Sequence, residues 1–387
     1  MNKVVAVQKN TKSIPSTMRQ VYISIFSATA WIYMVFISNP VLAQQNNADG
    51  DGFVRIQGRD AAPELVPAPA IQDIQINLRE EMRSFVQTTT KFARQLNPDF
   101  IILAKGGLDL LVKRDQVDEE RVSPARSYTR SLDGIIIEGQ YYSNKKFDQP
   151  PSKDYQEYLF KMADIAKKSG LNVFAIDFAT DKKLINDAYR KNKAKGYVSL
   201  TLDALPIDVD RLPSYPRKPF DENPKSIVSL QNVKNYVFIG NSQGMGRVDE
   251  FALKMKNTNY DMVIVDVFHG RLPLSKQAVE TLKYKKIGAK RLVLAYMDIG
   301  SAASYRYYWQ PGWQEGSPLW ISAPYKGDPD RYNIQFWQPE WQRIISGDTQ
   351  SFLYGIIKQG FDGVVLDGLE AYKFFEGGGE EETLQQQ

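Results

Sequence analysis

The sequence predicts an α/β protein built on a (β/α)8 barrel, the fold also called a TIM barrel. Short apolar runs rich in β-branched residues, typical of buried parallel strands, occur eight times after residue 98. Amphipathic segments with a 3.6-residue period, such as residues 155–170 and 276–290, lie between most of these runs. Strands that alternate with helices form a parallel sheet, and eight of them within about 300 residues are enough to close a barrel.

The eight predicted strands fall into two groups of four. The first group is DFIILAKGG, LDGIIIEG, LNVFAIDFA and YVSLTLDA, which begin at residues 99, 132, 171 and 197. The second group is NYVFIGN, YDMVIVDVF, RLVLAYMDIG and GFDGVVLDG, which begin at residues 235, 260, 291 and 360. A proline-rich connector over 206–233 separates them. We therefore expect one barrel half at 76–205 and the other at 234–376.

The main alternative fold is a doubly wound open sheet. That fold binds dinucleotides through a Gly-x-Gly-x-x-Gly turn after its first strand, and no such turn follows the first predicted strand here. The loop GNSQGMG, which begins at residue 240, lacks the Gly-Lys-Ser/Thr of a phosphate-binding loop and is interpreted as a turn.

A closed barrel requires the first and last predicted strands to lie side by side. The helix predicted over 77–96 can serve as the return helix between them, and pairing of DFIILAKGG with DGVVLDG would close the sheet. Alternatively, the two halves belong to different barrels, as in a fragment or a domain-swapped dimer. Because open halves would expose aggregation-prone edge strands, we expect closure within one chain and a monomer.

The first 43 residues are predicted to be a signal peptide. Basic residues without any acidic one precede the apolar stretch VYISIFSATAWIYMVFISNPVLA, which ends with small residues suited to cleavage after Ala43. The basic residues are Lys3, Lys9, Lys12 and Arg19. Cleavage would make the protein secreted or periplasmic. The alternative is an uncleaved membrane anchor, because the stretch has nearly the length that a membrane span needs.

Two further segments are predicted to lie outside the barrel. Residues 44–75 are rich in Gln, Asn, Gly, Pro and Ala and are predicted to form a flexible linker. Residues 377–387, rich in Gly, Glu and Gln, are predicted to form a disordered acidic tail.

The composition excludes several kinds of site. The chain has no cysteine and one histidine, His269, so thiolate chemistry and zinc sites of the usual ligand sets are not expected. The formal net charge of +4 equals the number of basic residues in the predicted leader, so the mature chain would be balanced. Nothing therefore indicates a nucleic-acid partner. We also expect no metal, no organic cofactor and no membrane contact beyond the leader.

Two predicted strands carry the same pattern of an acid, a glycine, three apolar residues and a second acid: DGIIIE at 133 and DGVVLD at 362. The second acids, Glu138 and Asp367, fall at the carboxyl ends, where barrel enzymes keep their catalytic groups. If the barrel closes, one strand lies between them, and neighbouring strands are about 4.8 Å apart. The carboxyl groups would then be roughly 5 to 10 Å apart, as in glycosidases. We predict that they form a catalytic pair.

Other acids and many aromatic residues follow the remaining strands. We predict that the substrate is bound by Asp177, Asp266, Asp298, Tyr296, Arg306, Trp309 and Tyr141. For the three aspartates, helix capping or local hydrogen bonding is an equally open alternative. A mouth rich in acids and flat rings suits a polysaccharide substrate, whereas phosphate would need basic residues or glycine-rich loops.

Several segments of the chain resemble a known family. VLAYMDIGSAASYRYYW, QFWQPEWQ and GFDGVVLDGLEAY resemble the first half of its barrel, and LNPDFIILAKGGLDLL, SLDGIIIEGQYY and GLNVFAIDFA resemble the second half. The family is the endo-α-1,4-polygalactosaminidase family of glycoside hydrolases, with its bacterial extracellular relatives. Here the second half precedes the first. The resemblance, which covers roughly residues 80–376, therefore implies a circularly permuted barrel.

The resemblance implies an endo-hydrolase of galactosamine-rich polysaccharide that uses one Asp and one Glu. By motif position these are Asp367, the ionised nucleophile or base, and Glu138, the proton donor. The donor needs a raised pKa, which the charge of Asp367 and nearby groups such as Tyr141 and Tyr142 would supply. Asp362, which starts its strand, is predicted to face the opposite end of the barrel and to serve stability.

Two departures from the family pattern fall at the predicted mouth. Ser301 and Ala303 stand where the bacterial relatives tend to carry Glu, and Lys105 and Gly106 replace what is usually Gln-Asn. These departures bear on substrate identity and on activity. They leave open an alternative from another class, a barrel that binds polysaccharide on its aromatic mouth without cleaving it.

Overall fold

The computed structural model describes residues 76–114, 122–326 and 328–377. The predicted signal peptide at 1–43 and the predicted linker at 44–75 lie outside the described residues, as does the predicted acidic tail apart from Gly377. None of the described helices combines the length and the apolar character that a membrane crossing requires.

Eight parallel strands, numbered β1–β8, form the central sheet. In chain order they are Ile101–Lys105, Gly134–Glu138, Asn172–Phe178, Val198–Leu202, Tyr236–Ile239, Met262–Asp266, Leu292–Asp298 and Gly363–Asp367. Each strand falls within one of the predicted apolar runs. The prediction of an eight-stranded parallel sheet is confirmed.

The described helices, numbered α1–α9, flank this sheet. They are Leu78–Leu96, Arg126–Thr129, Lys153–Lys168, Lys182–Lys195, Val248–Lys256, Lys276–Leu282, Pro339–Ile345, Phe352–Gln359 and Tyr372–Glu376. The predicted return helix is α1, whose Asn77 cap accepts a hydrogen bond from the amide of Glu80 at 3.1 Å. The helical pattern at 276–290 ends early, at Leu282, because the chain turns there and buries Lys285.

The strand order is β4-β3-β2-β1-β8-β7-β6-β5. The first and last strands are neighbours, since Ile101 pairs with Gly363 and Ala104 pairs with Leu366. The predicted pairing of these strands is therefore confirmed. The order runs around the sheet without the reversal that a doubly wound sheet contains.

The two edges of this sheet, β4 and β5, lie beside each other, so the sheet is nearly closed into a TIM-like barrel. Tyr236 on β5 donates its hydroxyl to the carbonyl of Ala175 on β3 at 3.1 Å. Its ring packs edge-on against Phe174, with the centroids 5.4 Å apart. Aromatic packing in the interior thus spans the seam that no backbone ladder crosses.

The proline-rich connector joins β4 to β5 at this seam. Its first turn, Pro206–Asp208, packs so tightly against the end of β5 that a Cβ on Gly240 would lie 2.2 Å from the carbonyl oxygen of Pro206. The amide of Asn241 donates to the carbonyl of Val209 at 3.0 Å. The connector therefore covers the seam on the side where the strands end.

Short antiparallel strands form three small sheets outside the eight-stranded sheet. Ser301–Ala303, Ile321–Tyr325 and Asp328–Ile334 form a three-stranded sheet, and two hairpins pair Val112–Arg114 with Val122–Pro124 and Phe268–His269 with Leu272–Pro273. The three-stranded sheet lies in the long connection after β7 and supplies side chains to the mouth.

At the opposite end of the barrel, acids fix the relative positions of neighbouring strands. Asp133, Asp261 and Asp362 each precede a strand, and each carboxylate accepts a hydrogen bond from a backbone amide at the start of the neighbouring strand. The donors are Ile102, Lys234 and Val293, at 2.8, 2.9 and 2.8 Å. The predicted position of Asp362, away from the mouth, agrees with this arrangement.

Replacing Asp362 with Asn should lower stability by about 1 to 2 kcal/mol and leave the mouth unchanged. The carboxylate also contacts the ammonium of Lys283 at 2.7 Å, and hydrogen bonds to charged groups contribute more than neutral ones. Denaturant unfolding would measure the loss. Asp99→Asn is the matched control, because Asp99 is an exposed acid at the same end. Equal midpoints for the two variants would contradict this role.

Candidate active site

The carboxyl ends of β1, β2 and β8 bring together Lys105, Glu138 and Asp367. The ammonium of Lys105 lies 3.1 Å from Oδ2 of Asp367 and 3.4 Å from Oε2 of Glu138. The two carboxylate oxygens can therefore be no farther apart than the sum of these distances. The two acids that the sequence selected meet at one point of the mouth.

Asp367 is held as an anion. Its Oδ2 accepts a hydrogen bond of 2.6 Å from the hydroxyl of Tyr296, and its Oδ1 accepts one of 2.8 Å from the amide of Gly368. Burial opposes the charge, but Lys105 and these donors outweigh it and hold the pKa of Asp367 below its usual range.

The pKa of Glu138 is shifted in the opposite direction to that of Asp367. Burial, assisted by the negative charge of Asp367, raises the pKa of Glu138 above its usual range, although Lys105 acts against this shift. Its Oε1 is buried and makes no hydrogen bond with any described residue. When Glu138 is protonated, Oε1 can carry the proton, because no other described group occupies that oxygen.

Lys105 remains charged between the two acids. Burial opposes its charge, but the carboxylates of Asp367 and Glu138 more than compensate and raise its pKa above the usual value. Its side chain is 13% exposed. The sequence identified this position as a departure from the family pattern, and the structure places that departure between the proposed catalytic groups.

A third carboxyl group, Glu370, lies at the rim of the same site. The surrounding protein atoms and the charge of Asp367 raise the pKa of Glu370 to about 7, although its side chain reaches the surface. Gly106, with a φ of +77°, leaves room for it: a Cβ there would lie 2.0 Å from Oε2 of Glu370. A side chain at position 106 would therefore collide with Glu370 in its present position.

A pocket of about 280 Å³ adjoins this charged site. Tyr296, Asp298 and Arg306, which the sequence assigned to substrate binding, all line it, together with Arg331. Asp298 forms an ion pair with Arg331 and accepts hydrogen bonds from the backbone after β7. Nε of Arg331 donates to the hydroxyl of Ser301 at 2.6 Å. Ser301 thus helps to hold the guanidinium of Arg331 at this pocket.

Arg306 forms a second ion pair beside this pocket. Its guanidinium donates two hydrogen bonds to the carboxylate of Asp266, at 2.9 and 2.8 Å. Asp266 also accepts from the amide of Phe268 at 2.9 Å. These contacts favour local hydrogen bonding for Asp266, which was the alternative to substrate binding that the sequence left open. Arg306, and not Asp266, lines the pocket.

The structure places Asp177 away from the mouth. Its buried carboxylate accepts hydrogen bonds from the backbone amides of Tyr141 and Tyr142 and from the side chains of Gln140 and Asn192, at 2.7 to 2.9 Å. Burial raises the pKa of Asp177 to about 6 against the effect of these donors. Four donors fill its oxygens, so the geometry favours the structural alternative over substrate binding.

Tyr141 and Tyr142, which were predicted to lie near Glu138, contact other residues instead. The ring of Tyr141 packs against Phe160 with centroids 5.7 Å apart, and the hydroxyl of Tyr142 donates to Asp187 at 2.8 Å. Tyr155, on α3, and Tyr236, on β5, are instead the tyrosines that interact with the charge of Glu138. The raised pKa of Glu138 therefore follows from burial and Asp367 rather than from the two predicted tyrosines.

Sequence reasoning missed several residues at the mouth: Tyr155, Tyr325, Arg331 and Glu370. The pKa values of Tyr155 and Tyr325 are raised by burial and by acids of the site. For Glu370 the sequence did contain a signal, because this acid follows Asp367 by three residues in DGLE and so lies close to the end of the same strand. Nothing local marks Arg331, because the hairpin that carries it reaches the mouth through tertiary folding.

The loop after β5, which the sequence analysis interpreted as a turn, contains a further motif. GNSQG at 240–244 matches Gly-x-Ser-x-Gly, and the hydroxyl of Ser242 lies 2.9 Å from Nδ1 of His269. Ser242 is buried, however, and Nδ1 rather than Nε2 faces it. In a serine hydrolase Nδ1 binds the acid, so we interpret this contact as structural. Among the described residues, no group of three or more His, Asp or Glu side chains is arranged to hold a metal ion.

Comparison with known proteins finds relatives without an assigned activity. An uncharacterized protein of Methanocaldococcus jannaschii is 32% identical over 138 residues, which are 35% of this chain and 37% of that protein. Uncharacterized proteins of Deinococcus radiodurans and Thermotoga maritima are 40% and 25% identical over 83 and 123 residues. These matches span 21% and 32% of this chain and 26% and 36% of those proteins. The chain thus matches well under half the length of each relative, and no family model matches it.

Proposed function

We propose that this protein is a glycoside hydrolase that uses Asp367 and Glu138 as its catalytic pair. The observation that supports this most directly is the unequal ionisation of two carboxyl groups at one strand-end site: the pKa of Asp367 is held below its usual range and that of Glu138 is raised. Glycosidases need one ionised carboxylate and one carboxylic acid on either side of the bond to be cleaved.

The proposed chemistry is a double displacement. Glu138 donates its proton to the glycosidic oxygen while Asp367 attacks the anomeric carbon, so the leaving sugar departs as an alcohol and an ester to Asp367 forms. Glu138 then takes a proton from water, which cleaves the ester. Direct attack is compatible with the upper limit that the two contacts of Lys105 set on the separation of these carboxyl oxygens, since retaining glycosidases hold their two carboxyl groups about 5 to 5.5 Å apart.

We propose an amino-sugar polysaccharide of galactosamine type as the substrate. Glu370 lies at the rim of the mouth, and its ionised form, which prevails above a pH of about 7, would attract the ammonium groups of a deacetylated chain. Export, as the leader segment suggests, would place the enzyme where such polymers occur. The decisive experiment is incubation with partially deacetylated galactosamine polymer, followed by measurement of chain length against an Asp367→Asn sample. Unchanged chain length across a panel of amino-sugar polymers would contradict the proposal.

A circularly permuted barrel belongs to the same proposal. The seam of the sheet lies between β4 and β5, where the connector joins the two halves, whereas the first and last strands pair inside the sheet. A permuted chain aligned with an unpermuted relative can match over only one half at a time. The short matched lengths of 138, 83 and 123 residues are consistent with this order.

The position of Lys105 favours a second candidate function, polysaccharide binding without cleavage. Its ammonium occupies the space between the two oxygens that must act on the substrate. If it stays there, sugars could bind at the mouth without reaching both acids. Binding of the polymer without any shortening, by a protein whose Lys105→Gln variant does cleave, would favour this function.

Lys105→Gln should move the pH profile of cleavage to higher pH. Activity needs Asp367 ionised and Glu138 protonated, so it rises through the pKa of the first and falls through that of the second. The ammonium lowers both pKa values, and its removal raises both, shifting the two limbs together. The pH dependence of kcat/KM measures this shift. Lys153→Gln, at an exposed lysine on α3, is the control, and identical profiles for the two variants would contradict the bridging role.

A further inference from the structure

The connection after β7 forms a second concave surface that the proposed catalytic pair does not use. This surface, called the aromatic groove here, has a volume of about 640 Å³, within the range of ligand sites. Its aromatic lining residues are Tyr307, Tyr308, Trp309, Trp313 and Trp320. Trp309 was predicted to bind substrate at the mouth, but the structure places it in this groove.

The rings are organised by contacts among themselves. Trp313 packs edge-on against both Trp309 and Trp320, with centroids 5.6 and 5.0 Å apart. Trp309 stacks on Tyr332 at 5.1 Å. Trp309 and Trp313 nevertheless remain partly exposed. A prearranged set of indole rings that keeps a solvent-facing surface offers apolar area at little cost in side-chain entropy.

Polar side chains without partners surround these rings. Gln310, Glu340 and Arg343 line the groove, and within the described part of the chain their side chains make no hydrogen bond or ion pair. Glu340 and Arg343 are both exposed on α7. Together they offer hydrogen-bond donors, acceptors and charges of both signs around the aromatic rings.

We propose that the aromatic groove is an accessory saccharide-binding site that holds a polysaccharide chain outside the catalytic mouth. Pyranose rings present apolar C–H faces and hydroxyl edges, which match a floor of aromatic rings and a rim of free amide, carboxylate and guanidinium groups. A purely apolar partner would bury Glu340 and Arg343 unpaired, at a large desolvation cost. Tyr308 lines both the groove and the pocket beside Asp298, so the two sites are adjacent.

The inference goes beyond the proposed hydrolase activity and can be tested apart from it. Trp309, Trp313 and Trp320 make tryptophan fluorescence a reporter of the groove. The probes are partially deacetylated galactosamine polymer, chitosan and their oligosaccharides, titrated into the full chain carrying Asp367→Asn to prevent cleavage. We expect fluorescence quenching that saturates, with at least tenfold weaker polymer affinity after Glu340→Ala/Arg343→Ala.

The control is Glu157→Ala/Lys161→Ala, which removes exposed charges from α3. Trp313→Phe, which keeps an aromatic ring but changes its area, provides a second variant and should weaken binding with native circular dichroism. In the active protein, the groove variants should cleave polymer more slowly while cleavage of short oligosaccharides stays unchanged.

Binding that both groove variants leave at wild-type strength would overturn the inference, even if cleavage occurs. The same holds if none of the probes is bound. Groove-dependent binding without cleavage would support the accessory site and count against the hydrolase.

Discussion

Asp367→Asn should reduce cleavage of the polysaccharide by at least about 10³-fold, because it removes the group that attacks the anomeric carbon. Glu138→Gln should reduce it by about 10²- to 10⁴-fold, the usual contribution of a positioned acid. Thermal stability should change little, since an amide at position 367 can still accept the hydrogen bond from Tyr296 and Lys105 keeps the carboxyl group of Glu138 as a partner. Initial rates with polymer, together with thermal unfolding, measure both effects.

Glu370→Gln is the matched control for this pair, since Glu370 is a third carboxyl group at the same mouth. It should keep most of the turnover and weaken binding of cationic substrate. If Glu138→Gln instead retains wild-type turnover and Glu370→Gln loses it, Glu370 is the proton donor. A pKa of about 7 would suit that role, and the assignment to Glu138 would be wrong.

The largest expected effect on stability comes from Lys285, a fully buried lysine beside the barrel. Its ammonium lies 2.5 Å from the equally buried carboxylate of Asp261 and donates to the carbonyls of Asn223 and Lys225 at 2.7 and 2.8 Å. It therefore ties the far end of the connector to the start of β6. Lys285→Met should destabilise the protein by about 3 to 5 kcal/mol, because it leaves a buried carboxylate without its counter-ion.

Denaturant unfolding measures this loss, and Lys286→Met is the control at an adjacent exposed lysine. The double variant Lys285→Met/Asp261→Asn should recover part of the stability, because the remaining amide can still accept from Lys234 without a buried charge. A midpoint for Lys285→Met equal to that of the control would show that the pair does not anchor the connector.

The sequence was sufficient to predict the eight strands and the pairing of the first with the last. Each strand is a run of buried apolar residues, and its carboxyl end is marked by where that run stops. Glu138 and Asp367 could be selected for this reason, since both follow the same pattern and strand order fixes their proximity. Asp362 could be separated from them because it starts its strand.

The environment of these side chains was decided by tertiary structure. Whether a strand-end aspartate faces the mouth or local amides depends on loops distant in sequence, so Asp177 and Asp298 carry the same signal but have different surroundings. Lys105 was visible as a residue, but its place between two carboxylates depends on the packing of three strands. Ionisation depends on burial and on neighbouring charges, which the fold alone brings together.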